Sequence, residues 1–277
     1  MGPSGAIKIK GVMKKAVLTV VKVGGAVLEK EDSRKELLQK FAALDGPKVL
    51  VHGGGREASR LSEELGRPAQ LIEGRRITDD FQLKVAVMVY AGAVNKQVVA
   101  ELQSLECQAI GLSGADGNLI QAVKRPVGDI DYGWVGDIIG VNATLLQVLL
   151  QGGYSPVLCA LTHNGEGNLL NTNADTIASE VAGALQKHFS VRLLYCFEHA
   201  GVLAKLSDPD SLFPELWESE LNQLLQQKIV HAGMKPKLHT GFKACQQGVE
   251  EVWIGNQQML QNGPVKGTRL RTKSISE

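Results

Sequence analysis

Two glycine-rich turns constrain this chain more tightly than any other feature. Lys22-Val23-Gly24-Gly25 closes an apolar, strand-like run at 16–21, and His52-Gly53-Gly54-Gly55 closes another at 49–51; a helix-like segment follows each. Glycine lets the backbone approach a ligand closely. A turn that opens into a helix also offers unpaired N–H groups at the positive end of the helix dipole. Lys22 adds a full charge at the mouth of the first run. Such a pair fits the carboxyl ends of neighbouring parallel strands, where ligands bind in open α/β sheets. The pattern predicts a paired cradle for anions, phosphate above all.

Further apolar runs at 107–112, 155–161 and 191–197 alternate with helix-like stretches near 33–44, 56–65, 80–105, 142–152 and 174–188. This rhythm predicts an α/β fold with a mainly parallel central sheet and helices on both faces. Between 107 and 141 the pattern shortens and turn signals appear, Ser113-Gly114-Ala115-Asp116-Gly117-Asn118 and the glycines of 133–140, which read as inserted β-hairpins. Asp208-Pro209-Asp210 and Asn262-Gly263-Pro264 mark later loops. With no repeat, low-complexity tract or long linker, residues 13–277 read as one continuous domain, and 1–12 as a tail ahead of Met13 or an expression remnant.

Thirty lysines and arginines against 29 acidic residues leave a net charge of +1, so electrostatics make no case for a nucleic-acid or acidic-membrane partner. Cys107, Cys159, Cys196 and Cys245 lack metal-ligand spacing and sit in apolar or helix-like contexts, as reduced core cysteines do. No apolar run approaches the ~20 residues of a membrane span, and the opening residues lack the apolar centre of a signal peptide. A cytoplasmic location is the expectation.

Lys22 ends a strand that should be buried on both faces, where an ammonium is costly unless it reaches an anion or snorkels to water. The run of three glycines after His52 has competing readings. It resembles the oxyanion hole of esterase-type hydrolases, whose nucleophile elbow could only be Gly111-Leu112-Ser113-Gly114-Ala115; a plain structural turn is the third reading. Asn171-Thr172-Asn173-Ala174-Asp175 precedes an apolar helix face, with Asn173 placed to cap it and Asp175 in its first turn. Gly233-Met234-Lys235-Pro236-Lys237 opens another helix, and two lysines at that end make sense if an anion binds there. Arg76, in Gly74-Arg75-Arg76-Ile77-Thr78-Asp79, offers a planar fork for a carboxylate, with Thr78 or Asp79 capping the next helix. A Walker A sequence, a protein-kinase glycine loop and a His/Cys metal cluster are all missing, so those classes fall away.

Taken in order, the segments 22–25, 52–55, 74–78, 171–175 and 233–237 resemble the amino acid kinase family, in particular its members that phosphorylate an acylated glutamate in arginine biosynthesis. The likeness runs from about Val20 to Thr268. It implies a three-layer α/β/α sandwich, the amino acid kinase fold, whose amino-terminal half binds the acyl amino acid and whose carboxyl-terminal half binds ATP. Lys22 and Lys237 would stabilise the transferring phosphoryl group, with Asp175 orienting both. Gly54, Gly55, Arg76 and Asn171 would contact the substrate, Arg76 through its α-carboxylate; Gly24 and Gly25 would face the phosphates, and the 107–141 hairpins would cover the substrate. N-acetyl-L-glutamate, ATP and Mg2+ held mainly through the ATP phosphates are the implied ligands, with no protein metal site. Family members usually show a Thr/Ser-Asp pair where this chain reads Phe197-Glu198, so Glu198, Gly201 and Leu203 are the nucleotide-side candidates. Residues 1–15 are too short and glycine-rich for the extra helix of arginine-inhibited hexamers. A homodimer without arginine feedback is expected. The acyl group stays open between acetyl and succinyl, as does an aminoadipate-type substrate, and a catalytically silent acylglutamate or nucleotide sensor is the rival class.

Overall fold

The computed structural model describes residues 15–72, 74–205, 207–227, 229–230 and 234–272; the expected tail at 1–12 and Gly233 lie outside them. The chain runs β1 (Val17–Val23), α1 (Gly25–Glu29), α2 (Glu31–Ala42), β2 (Lys48–His52), α3 (Gly55–Glu64), β3 (Leu71–Ile72), β4 (Arg75–Arg76) and α4 (Asp80–Ala86). It continues through a π-helical stretch (Val87–Val94) into α5 (Asn95–Ser104), β5 (Ala109–Leu112), β6 (Ile120–Lys124), β7 (Gly136–Val141), α6 (Ala143–Gln151) and β8 (Ser155–Cys159). After β9 (Leu161–His163) and β10 (Leu169–Asn171) come α7 (Ala174–Leu185), β11 (Ser190–Cys196), β12 (Glu215–Trp217), α8 (Leu221–Gln226), α9 (Lys235–Gln246), β13 (Glu251–Gly255) and β14 (Thr268–Arg271).

Eight strands form the central sheet in the order β12-β14-β13-β11-β1-β2-β8-β5. All its pairings are parallel except β13 with β14, so the expected mainly parallel sheet is what forms. β1 and β2 are neighbours, with Val23 opposite His52, which brings both glycine turns to the same edge. Strand β1, rich in β-branched residues, suits a pleat buried on both faces. Its Leu18 and Val20 join a core with α7 and α9, including Ile177, Leu238 and Phe242. Val21 and Val23 point the other way, into a core with Leu37, Phe41 and Leu102 of α2 and α5. Helices therefore cover both faces, giving three layers.

The structure departs from the sequence reading in particular places. β5 belongs to the edge of the central sheet and is not part of an inserted hairpin. The hairpin β6–β7 does form, but the run read at 155–161 ends at Cys159, and β9 leaves to join β10, β6 and β7 in a separate four-stranded sheet. Strands β12 to β14 lie beyond the last run the rhythm revealed, because each is short and β14 alternates arginine with Thr268 and Leu270. The stretch Asp80–Ser104 is one continuous helical segment of 25 residues, long enough and, in its most apolar portion with a mean hydropathy of 1.2, apolar enough to cross a membrane by length and composition alone, although Lys84, Asn95 and Lys96 interrupt its apolar run. Its Val85, Ala86, Val89, Tyr90, Val98 and Leu102 are buried in the two cores.

Candidate active site

Lys22 is the penultimate residue of β1 and emerges on the face covered by α7. Helix α7 starts where it does because Asn173 Oδ1 accepts from the backbone N–H of Asp175 (2.7 Å) and Thr176 (3.2 Å), an N-cap that sets Asp175 in the first turn. Lys22 Nζ then lies 2.6 Å from Asp175 Oδ1, with the two side chains only 9% and 7% exposed. From α9, with Pro236 in its first turn, Lys237 places Nζ 3.8 Å from Asp175 Oδ2. The three expected charges thus converge from separate elements. Lys235 of the same helix stays exposed.

Two ammoniums share one carboxylate here, and two helix N-termini point at them. Burial alone would raise Asp175, but Lys22 and then Lys237 hold its carboxyl below the usual carboxylate range. Burial pushes Lys237 down, and Lys22 adds to that push, while Asp175 pulls it back up. The site carries a surplus of positive charge in a poorly solvated place, the electrostatic signature of an anion receptor.

The glycine turns flank this cluster. The N–H of Gly24 donates to Cys196 O (2.9 Å), tying the first turn to the end of β11. A Cβ on Gly25 would meet nothing within 4 Å, so neither packing nor a left-handed backbone demands glycine there. Open space above that turn is what an approaching anion needs. At Gly54, by contrast, a Cβ would lie 2.6 Å from Cδ1 of Tyr90 on the π-helical stretch. Helix α3 begins with no side-chain cap, leaving first-turn N–H groups unclaimed by the protein.

His52 has a role the motif did not disclose. Its Nδ1 lies 2.7 Å from Gly53 O, which can only accept, so the proton sits on Nδ1 and Nε2 accepts from Asn95 Nδ2 at 3.0 Å. Asn95 also donates to Val157 O at 3.0 Å, so one asparagine clamps the second turn to α5 and β8. Burial pushes His52 down to about 4, and the ring stays neutral at pH 7. Unfolding restores a value near 6.5, so the unfolded chain takes up a proton at pH values where the folded one does not. Stability from this group is complete above about pH 6.5 and is lost as pH falls toward 4. At pH 5 the loss should be about 2 kcal/mol. Urea unfolding at pH 7 and pH 5 checks this: His52→Gln should lose correspondingly less over that interval than the native chain, and equal losses would acquit His52.

Arg76 is buried rather than presented on a loop. It donates to Gln82 Oε1 (2.8 Å), Gly55 O (2.7 Å) and Ser59 Oγ (2.7 Å), anchoring the start of α3. Asp79, not Thr78, caps α4 by accepting from Gln82 N–H at 2.7 Å. Asn171 Nδ2 donates to Thr78 Oγ1 (3.0 Å), and the backbone of Thr78 bonds to Tyr132 and Trp134 beside the β6–β7 hairpin. Trp134 Nε1 donates to Asp80 Oδ1 at 2.6 Å. Arg76, Thr78, Asn171 and Trp134 therefore belong to one hydrogen-bonded frame, of which Thr78 and Trp134 had given no sequence signal beyond a capping pattern.

The nucleotide-side candidates are not gathered in this way. Glu198 is exposed and pairs with Lys30 at 3.5 Å. A Cβ on Gly201 would lie 2.5 Å from Leu212 and 2.6 Å from Thr268 Oγ1, so packing explains that glycine, and Leu203 forms a bridge with Leu212. Ser113, the hydrolase candidate, donates to Asp116 Oδ2 at 2.8 Å and precedes a 3-10 turn, not the helix of a nucleophile elbow. Among the described residues, no group of three or more His, Cys, Asp or Glu is placed to hold a metal ion.

The sequence matches the model of the amino acid kinase family over residues 17–256. It is 49% identical over 253 residues to the acetylglutamate kinase of Parabacteroides distasonis, covering 91% of this chain and 98% of that protein. The acetylglutamate kinase of Bacteroides thetaiotaomicron is also 49% identical, over 92% of this chain and 98% of its own. Among solved structures, smu.665 of Streptococcus mutans superposes with a TM-score of 0.74 at 25% identity, covering 91% of this chain and 98% of that one.

Proposed function

We propose that this chain, which belongs to the amino acid kinase family, uses ATP to phosphorylate the γ-carboxylate of N-acetyl-L-glutamate, a step of arginine biosynthesis. The observation that carries the reading is Asp175 held between Lys22 and Lys237 at 2.6 and 3.8 Å beside two glycine turns. A glutamate side chain has a free pKa of about 4.3, so at neutral pH it is already an ionised nucleophile and needs no general base. What remains is to bring one anion to another. The carboxylate oxygen would bond to the γ-phosphorus of ATP as the bond to the bridging oxygen breaks, giving an acyl phosphate and ADP.

Lys22 and Lys237 neutralise the charge on the moving phosphoryl group, and Asp175 keeps both ammoniums aimed without discharging them. Gly24 and Gly25 lie on the phosphate side, where open space above Gly25 lets the backbone come close. Gly54 and Gly55 orient the reacting carboxylate from the other turn. Three of the five N–H donors of Arg76 are spent within the frame, and a remaining one would reach the substrate's α-carboxylate. Asn171, bonded to the same frame, lines the acyl-amino-acid side. Magnesium fits as an ion carried on the ATP phosphates, where it would offset their charge. A binding-only sensor has no use for lysines placed to neutralise charge on a phosphoryl group in transfer.

Incubation with ATP, magnesium and hydroxylamine should trap a hydroxamate from N-acetyl-L-glutamate. Competition with the succinyl analogue and an acylated aminoadipate identifies the preferred acyl acid. No hydroxamate from any of them would sink the proposal. The same reading includes a homodimer, for which Met88, 51% exposed, with the exposed Gly92 and Ala93 one turn on offers a small contact patch. Sedimentation should give twice the 29.8 kDa chain mass, and a single-chain mass at micromolar concentration would remove the dimer.

A further inference from the structure

Asp175 and Lys237 come from two separate helices, α7 and α9, and their separation must be held to fractions of an ångström. Helix α9 has no side-chain cap to fix its first turn. Between the two helix N-termini lies Tyr195 of β11, only 1% exposed. It is the register partner of Lys22 in the parallel β1–β11 ladder, so both side chains emerge on the α7 and α9 face.

The Tyr195 hydroxyl donates to the backbone carbonyl of Asp175 at 3.2 Å and lies beside the hydroxyls of Ser179 and Thr240. Ser179 Oγ donates to Thr240 O at 3.1 Å, joining α7 to α9. Thr240 Oγ1 in turn donates to the carbonyls of Pro236 (3.1 Å) and Lys237 (3.0 Å), the first turn that carries the lysine. Packing alone would be served by phenylalanine, since a buried hydroxyl is a cost unless its hydrogen bonds matter.

We infer that Tyr195 is a positioning residue whose hydroxyl, bonded to the first turn of α7 and seated against the Ser179–Thr240 link to α9, locks the spacing of Lys22, Asp175 and Lys237. The lock is a property of the fold; its effect on turnover rests on the kinase reading above, and the two are tested separately. In the full chain, Tyr195→Phe should exchange backbone amides several-fold faster in both 174–182 and 235–242, with α2 unchanged. That measurement needs no turnover. In the hydroxamate assay the same variant should lose about tenfold in kcat while KM for ATP and for the acylglutamate stays within twofold, as expected for a small misplacement of charge. Thr240→Val should reproduce the loss, Thr240→Ser should not, and the Tyr195→Phe/Thr240→Val double variant should be little worse than either single change. Tyr154→Phe, at the opposite end of the sheet, should leave kcat unchanged. Unchanged exchange overturns the lock. Faster exchange with unaltered kcat in an active native enzyme overturns its catalytic consequence, and a native chain that makes no hydroxamate defeats the kinase reading while exchange still decides the lock.

Discussion

Lys22→Met should lose turnover on the order of a thousandfold and remain folded, whereas Asp175→Asn should lose both activity and stability. The asymmetry follows from how one carboxylate is shared. Both members of the Lys22–Asp175 pair are more than nine-tenths buried, where the cost of leaving water can match the attraction between the charges. Methionine fills the lysine's volume without a charge, and Asp175 keeps Lys237 as a partner at 3.8 Å. The unfolding free energy should move by less than about 1 kcal/mol. Removing the aspartate charge instead strands a buried ammonium beside a second one, and stranding one partner of a buried pair costs about 3–5 kcal/mol. Urea unfolding with kcat on the same preparations checks both halves. A Lys22→Met enzyme keeping a tenth of native turnover would take Lys22 out of the chemistry, and an Asp175→Asn protein as stable as the native one would show that the lysines do not rely on it.

Gly54→Ala should be nearly as damaging to activity, for a steric and not an electrostatic reason. The φ at this residue, 167°, lies outside the left-handed region that favours glycine. The obstacle is the Tyr90 ring, 4% exposed and 2.6 Å from the new Cβ, which sits in a packed core with little room to turn. Overpacking of this kind costs about 1–3 kcal/mol, and the cheaper relaxation is to shift the turn itself. A shift of about 1 Å in the groups that orient a reacting carboxylate can cost on the order of a hundredfold in kcat/KM. Tyr90→Leu should restore most of the loss in the double variant by vacating the ring's space. If Gly54→Ala alone is as active as the native enzyme, the second turn does not orient the substrate.

The central residues of the site were legible because they break rules that a purely structural sequence keeps. Lys22 in a strand buried on both faces and Lys237 at the start of α9 are each unfavourable alone, and the structure resolves both through Asp175. Asn173 and the parallel neighbours β1 and β2 followed from local signals of capping and apolar rhythm. Less was visible where tertiary contact decides. Arg76 looked like a free fork, but its partners Gly55, Ser59 and Gln82 are brought to it by a fold of the intervening chain that no period encodes. Tyr195 read as one more large residue in an apolar strand, because a hydroxyl's partner cannot be inferred from its neighbours in sequence. The small sheet escaped for the same reason: β9 is three residues long and is defined by β10 and β6, not by its own composition.

The place of β1 at the centre of the sheet has a consequence for the chain while it is being made. Its partner on one side, β2, emerges from the ribosome soon after it, but β11, its partner on the other, begins only at Ser190. For roughly 10–30 s at ordinary elongation rates, the apolar strand that carries Lys22 presents a bare row of backbone donors and acceptors. A nascent chain stalled before Ser190 therefore carries an apolar strand with one unpaired edge, open to pairing with another chain, and arrival of residues 190–196 both seals that edge and brings Tyr195 alongside Lys22.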